Sequence, residues 1–190
     1  ADALGDALTL HAIDFPGHGK SSGDPSAEDH VDQAIAAAAE RLTEPMDILA
    51  HSFGAYVALR LAMAHPDKVR SLSLYEPVYM ASVRESHSEL HAKNASEMRQ
   101  VSAWIEEGNR TDAARFFMRI WGDGSKWADL DPLQQTYFEE RITQPCRIQP
   151  WVSDDVTGSL AELGKIEVPV LLMIGTRSPA IMEHVQNSLA

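Results

Sequence analysis

Short apolar runs separated by polar, turn-forming stretches set the rhythm of this chain. Four of them, Leu8 to Phe15, Met46 to His51, Val69 to Tyr75 and Val168 to Ile174, have the length and aliphatic content of buried parallel strands. Between the first two, Val31, Ala34, Ile35, Ala38 and Leu42 recur at helical spacing, and Ser26 with Asp29 offers a capping box, so an amphipathic crossover helix is expected there. From Ala55 to Ala64 the residues are apolar nearly all round, which predicts a helix buried against a sheet, and Pro66 blocks its continuation. Strand, helix and strand in short order predict βαβ units and a parallel sheet.

The pattern changes after Pro77. Up to about residue 155 the strand signal disappears, and helical stretches carry Met, Trp and Phe among charged residues. Helices are expected over Ser88 to Gly108, Thr111 to Trp121 and Pro132 to Gln144, with a loop beginning at Trp121-Gly-Asp-Gly-Ser. The organisation read from this is an α/β core over residues 1–77, a helical cap over 78–155, and a return to the core over 156–190. Gly158 to Leu163 leads back into the Val168 strand. The expected fold class is α/β, a mostly parallel central sheet flanked by helices with an inserted helical cap.

Composition adds limits. Sixteen basic and twenty-eight acidic side chains give a formal charge of −12, which repels nucleic-acid phosphates and anionic membrane surfaces. No nucleic acid or membrane partner is therefore expected. The single cysteine, Cys146, cannot form an intrachain disulfide, and a reducing, cytoplasmic setting fits best. No apolar run reaches the ~20 residues of a membrane-spanning helix, and the N-terminus lacks a signal-peptide layout. Because the chain begins with Ala and enters a strand-like run almost at once, a true N-terminus is expected to be missing.

The strongest chemical signal is Asp47-Ile-Leu-Ala-His-Ser-Phe-Gly-Ala-Tyr, where a strand runs into Ala50-His51-Ser52-Phe53-Gly54-Ala55 and then into the apolar helix. This is the G-x-S-x-G nucleophile elbow with Ala at its first small position. A tight turn is needed to present the Ser52 Oγ, and small residues at 50 and 54 leave room for it. The following helix points its positive end at a developing oxyanion, and the Phe53 N–H is the expected donor. An ordinary strand-to-helix turn that happens to contain a serine is the plainer alternative.

Upstream, Ile13-Asp14-Phe15-Pro16-Gly17-His18-Gly19-Lys20-Ser21 specifies a sharp, rigid loop. The series D-x-P-G-H-G-x-S, then A-H-S-F-G-A, then H-P-D-K-V-R-S-L-S-L-Y-E-P resembles the α/β-hydrolase fold superfamily over nearly the whole chain. It is most similar to capped single-domain enzymes acting on esters and related small acyl or carbon–carbon substrates. The resemblance implies that Gly17, His18 and Gly19 support the site from beside the nucleophile. Phosphate cradling by Gly17 and Gly19 is the disfavoured alternative. It implies also that strands ahead of the Asp14 loop and a catalytic histidine after the last helix lie outside this chain, which is then an inactive fragment. Haloalkane dehalogenation is disfavoured, because in this superfamily it starts from Asp at the elbow.

Relatives usually carry the acid after the strand matching Val168 to Ile174, where this chain reads Gly175-Thr176-Arg177-Ser178-Pro179. Some place it after the preceding strand, where Glu76 stands, and Glu76 is the first choice. Asp155 is the weaker candidate, and pairing of Glu76 with an arginine is the structural alternative. Trp121 and Trp127 are candidates for a substrate pocket, although large aromatics in helices often only pack a core. His87 and His91 have a zinc-compatible spacing but no evident third ligand, so a solvated helix face is preferred and no metal is assigned. His184 reads as a surface residue. The expected activity is that of a serine hydrolase using an acyl-enzyme, with a small-molecule substrate and no cofactor. A receptor-like, non-catalytic ligand-binding protein is the alternative, supported by Ser178 at the usual acid position.

Overall fold

A computed structural model of the chain describes residues 7–22 and 29–190. Helix α1 spans His30–Ala39, strand β1 Met46–His51, helix α2 Phe53–Ala64 and strand β2 Val69–Tyr75. Helices α3 (Ser88–Glu106), α4 (Arg110–Trp121), α5 (Pro132–Arg141), α6 (Thr143–Arg147) and α7 (Gln149–Val152) follow. Strand β3 (Val170–Met173) and helix α8 (Ala180–Leu189) complete the order. The three strands form a parallel sheet in the order β1-β2-β3, with Ile48 opposite Leu72 and Leu74 opposite Leu172.

The core lies between this sheet and helices α1 and α2. Val31 and Ala34 of α1 meet Tyr56, Val57 and Leu61 of α2 and Leu72 and Leu74 of β2, all buried. Helix α2 is buried on most of its surface, as its all-round apolar sequence predicts. The strands depart from the expectation of burial on both faces. Residues of β1 alternate, and Leu49 is 75% exposed, because period-2 side chains reach α1 and α2 from one face only.

The expected first strand is corrected: among the described residues, residues 8–15 pair with no strand, and Leu8 and Leu10 are exposed. Its apolar run is anchored only at its end, where Phe15 packs edge-on to Phe53 at 5.7 Å. Ser26 of the expected capping box lies outside the described residues. Asp29 precedes α1 without a side-chain cap, and its carboxylate accepts from Gln33 at 2.8 Å instead. The helix expected over Pro132 to Gln144 is broken at Ile142 into α5 and α6. Asp131 caps α5 in a full capping box with Gln134.

Chain leaving β2 and chain returning toward β3 are tied together by polar contacts, the most buried of them at Tyr79. The buried Tyr79 hydroxyl donates to Asp155 Oδ1 at 2.5 Å and accepts from Ser159 at 2.7 Å, while the Leu160 N–H donates to the same carboxylate at 3.2 Å. Burial first, and then the bond to Asp155, raise the phenol's pKa far above the usual tyrosine range. Tyr79→Phe removes one partner and leaves the other polar groups short. It is expected to lower the unfolding free energy by about 1–3 kcal/mol in a urea titration.

Candidate active site

Strand β1 ends at His51 and α2 begins at Phe53, so the reversal from strand to helix falls on Ser52. Its backbone sits at φ 54° and ψ −123°, a region that residues with a Cβ seldom adopt, at a cost on the order of 1–3 kcal/mol. Backbone bonds hold the strain. The Ser52 N–H donates to the Tyr75 carbonyl of β2 at 3.0 Å, and the Ser52 carbonyl accepts from Ala55 and Tyr56 at 3.0 and 3.3 Å. As the first residue of α2, Phe53 has an N–H with no intrahelical acceptor. The small residue at 54 is under less pressure than expected, since a Cβ there would meet only the Phe15 ring, at an ordinary 3.9 Å.

Ser52 is partly exposed and opens onto a cavity of about 380 Å³. The cavity floor includes His18, Phe53 and Glu76, and its walls come from α3 to α7. Among the described residues the Ser52 Oγ forms no hydrogen bond, and His18 and His51 line the same cavity.

The Asp14–Ser21 loop brings His18 to this floor. Gly17 and Gly19 have positive φ (75° and 52°), and a Cβ on Gly19 would collide with the Asp14 carboxylate, so glycine is required there. That carboxylate accepts from the Lys20 N–H at 2.9 Å, and the Ser21 hydroxyl donates to the Asp14 carbonyl at 2.6 Å. The His18 ring stacks on His30, which stacks in turn on Phe53. His30 is only 2% exposed, and both its ring nitrogens lack a hydrogen-bond partner.

Burial, reinforced by His18 and Arg147, lowers the His30 pKa below 6.5, with Gln144 and Asp29 acting in the opposite sense. As pH falls, the unfolded chain therefore takes up this proton before the folded one does. The stabilisation from a neutral His30 is complete above about pH 6.5 and is lost as pH drops from there through the lower folded-state value. Melting temperatures between pH 7.5 and 5 are expected to fall more steeply for the parent than for His30→Phe. Equal slopes would refute a buried neutral ring.

Glu76 follows β2 with φ 51°, and its side chain turns toward the loop after β3. Glu76 Oε1 accepts from the Gly175 N–H at 3.0 Å and from the Ser178 hydroxyl. A Cβ on Gly175 would lie 2.6 Å from the Tyr75 hydroxyl and 3.0 Å from Glu76 Oε1, so a larger residue there would push these side-chain ends aside. The serine at the usual acid position thus hydrogen-bonds a carboxylate supplied from the neighbouring strand. From sequence alone Ser178 reads only as a lost charge, and the Gly175-x-x-Ser178 spacing after β3 is the signal that points to this contact.

Other candidates separate cleanly. Asp155 is occupied by Tyr79 and Ser159 and does not line the cavity. Trp121 lines it, whereas Trp127 does not, being packed 6.5 Å from Phe138 in the helical layer. Trp104 and Phe116 likewise face each other at 5.3 Å. Phe117 and Met118 reach the cavity wall, a distinction that helical spacing alone had not drawn. His87 stacks on His184 with centroids 3.9 Å apart, and His91 Nε2 lies 3.1 Å from the Ser153 carbonyl oxygen, so the two imidazoles have separate partners. Among the described residues no cluster of three metal-ligating side chains occurs, and no helix is long and apolar enough to cross a membrane.

Residues 1–190 match the model of the alpha/beta hydrolase family. The chain belongs to the alpha/beta hydrolase family. Within it, this alpha/beta hydrolase is 42% identical over 81 residues to a pimeloyl-[acyl-carrier protein] methyl ester esterase of Neisseria meningitidis, a match covering 42% of this chain and 30% of that protein. A protein with the same description from Nitrosomonas europaea is 26% identical over 175 residues, covering 92% of this chain and 68% of the relative. The crystal structure of an alpha/beta hydrolase from Sphaerobacter thermophilus has 24% identity and a TM-score of 0.48, over 93% of this chain and 68% of that one. The chain thus spans under a third of the Neisseria relative and about two thirds of the Nitrosomonas one.

Proposed function

We propose that the protein is a serine hydrolase that cleaves an ester, or a related small acyl or carbon–carbon substrate, through an acyl-enzyme on Ser52. The observation that carries this reading is the strained bend at Ser52, which presents an unpartnered hydroxyl to a largely apolar cavity. The names of the esterase relatives support an ester as the substrate class.

In this mechanism the Ser52 Oγ attacks the substrate carbonyl carbon as its proton passes to an imidazole, and the carbonyl electron pair moves onto oxygen, where the Phe53 N–H donates to it. Collapse expels the alcohol, which takes the proton, and water then releases the acid by the same steps in reverse order. The base is a histidine, as the family resemblance implies. Glu76 is the acid that orients this histidine and stabilises its cation. His18, Gly17 and Gly19 shape the floor, Trp121 contributes to an apolar wall, and α3 to α7 act as a cap that excludes water.

Ligand binding without turnover drew its support from Ser178. Its hydrogen bond to Glu76 favours the hydrolytic reading, because that corner of the site retains a carboxylate. Treating the full-length protein with a fluorophosphonate probe and mapping the adduct tests the proposal. Modification of Ser52 is the expected result, and absence of any adduct, or one at a different residue, overturns it.

A further inference from the structure

Glutamate carries its carboxylate on one methylene more than aspartate, and the extra rotatable bond lets the charge wander unless other groups hold it. At Glu76 the backbone makes the first restriction. Its φ of 51° and the bond its N–H donates to the Met173 carbonyl at 2.9 Å fix the residue where β2 and β3 end side by side. Two hydroxyls make the second. A Cβ placed on Gly175 would lie 2.6 Å from the Tyr75 hydroxyl, 2.9 Å from Ser178 Oγ and 3.0 Å from Glu76 Oε1, so these three oxygens gather in the space that a side chain at residue 175 would fill. The single Ser178 hydroxyl hydrogen has two acceptors in reach, Glu76 Oε1 and the Gly175 carbonyl at 2.9 Å, and the charged one binds it more strongly. The charge on Glu76, then lost hydration and a hydrogen bond to the same carboxylate, raise the Tyr75 pKa above the usual phenol value, with Arg177 acting the other way.

We infer that Ser178 and Tyr75 are positioning residues, whose hydroxyls hold the Glu76 carboxylate in the orientation from which it meets the catalytic imidazole. The inference rests on the hydrolase reading with Glu76 as its acid. Both hydroxyls are neutral donors, so they fix the carboxylate without cancelling the charge that stabilises a protonated base. An arginine in their place would fix the carboxylate and neutralise it. Orientation matters here because a misplacement of about 1 Å in a catalytic constellation lowers a rate by up to about 10²-fold. The carboxylate so held belongs to a residue that lines the cavity onto which Ser52 opens. Tyr75 is itself braced, its ring packing 5.1 Å from that of His51.

Steady-state hydrolysis of p-nitrophenyl butyrate by the full-length protein tests this. Ser178→Ala is expected to lower kcat about 10- to 100-fold with KM little changed, and Tyr75→Phe, which keeps the ring beside His51, about 3- to 10-fold. Ser178→Thr returns a hydroxyl and is expected to recover most of the loss. Because Ser178 acts through Glu76, Ser178→Ala in the Glu76→Gln background is expected to lower kcat little further than Glu76→Gln alone. A loop that Ser178 merely stabilises would lose activity by the same factor in both backgrounds, and that result overturns the inference. Parental kcat in either single variant overturns it too, as does a loss carried by KM. Tyr75 is 37% exposed, so Tyr75→Phe keeps the test decisive should Ser178→Ala fail to fold. Fluorophosphonate labelling of the parent separates the two readings. With a Ser52 adduct and turnover in the parent, these failures remove the positioning residues alone, whereas a parent showing neither removes the hydrolase reading and the inference together.

Discussion

Ser52→Ala in the full-length protein is expected to reduce hydrolysis of p-nitrophenyl butyrate by at least about 10⁴-fold, as removal of an acyl-forming nucleophile does elsewhere. Folding should be unaffected, because alanine donates the same backbone bond to Tyr75 and accepts the same two from Ala55 and Tyr56. A second substitution at the same position reads out the strain. Ser52→Gly is equally inactive, yet glycine adopts φ 54° without the Cβ penalty. It is expected to unfold about 1–2 kcal/mol later than Ser52→Ala in urea, after the greater flexibility of its unfolded chain has been deducted. An alanine variant that is as stable as the glycine one would mean that the bend is not strained. Undiminished activity in either would mean that the nucleophile lies elsewhere.

The second large effect belongs to Glu76. Glu76→Gln keeps the shape and a hydrogen bond to the Gly175 N–H but removes the charge that would stabilise a protonated base. It is expected to lower kcat by about 10³–10⁴-fold with little change in KM. Relocating the charge separates a catalytic carboxylate from a structural one. Ser178 already touches Glu76 Oε1, so Ser178→Asp in the Glu76→Gln background puts a carboxylate beside the same point and should recover a substantial part of kcat. Ser178→Asp alone crowds two acids together, so that one retains a proton, and should be worse than the parent. If the double variant is no better than Glu76→Gln, Glu76 is not the acid.

The two strands and the helix around the elbow were legible because each is long enough for its period to be unambiguous and because Pro66 marks the helix end. Residues 8–15 misled, since an apolar run states a preference for burial but not the identity of a pairing partner, and none of the described strands lies beside it. Ser52 was legible because strain of this kind has a sequence signature: small residues on either side of a serine at the junction of a strand and a helix. Glu76 was named from the family resemblance. Its hydrogen bond to Ser178 was not foreseen, because the two are 102 positions apart and only the pairing of β2 with β3 brings them together. Trp121 and Trp127 show the limit most plainly. They are six positions apart and alike in composition, yet only the rotation of α4 and the course of the following loop decide which one borders the cavity.

The knot formed by Tyr79, Asp155 and Ser159 fastens both ends of the helical excursion to each other and to the core side of the molecule. Swinging the helical segment away as a rigid door would tear out these buried polar groups and also the bond that Arg84 Nη1 donates to the Asp154 carbonyl at 3.0 Å. A ligand is therefore expected to reach the cavity through gaps among the helices that line it, away from this root.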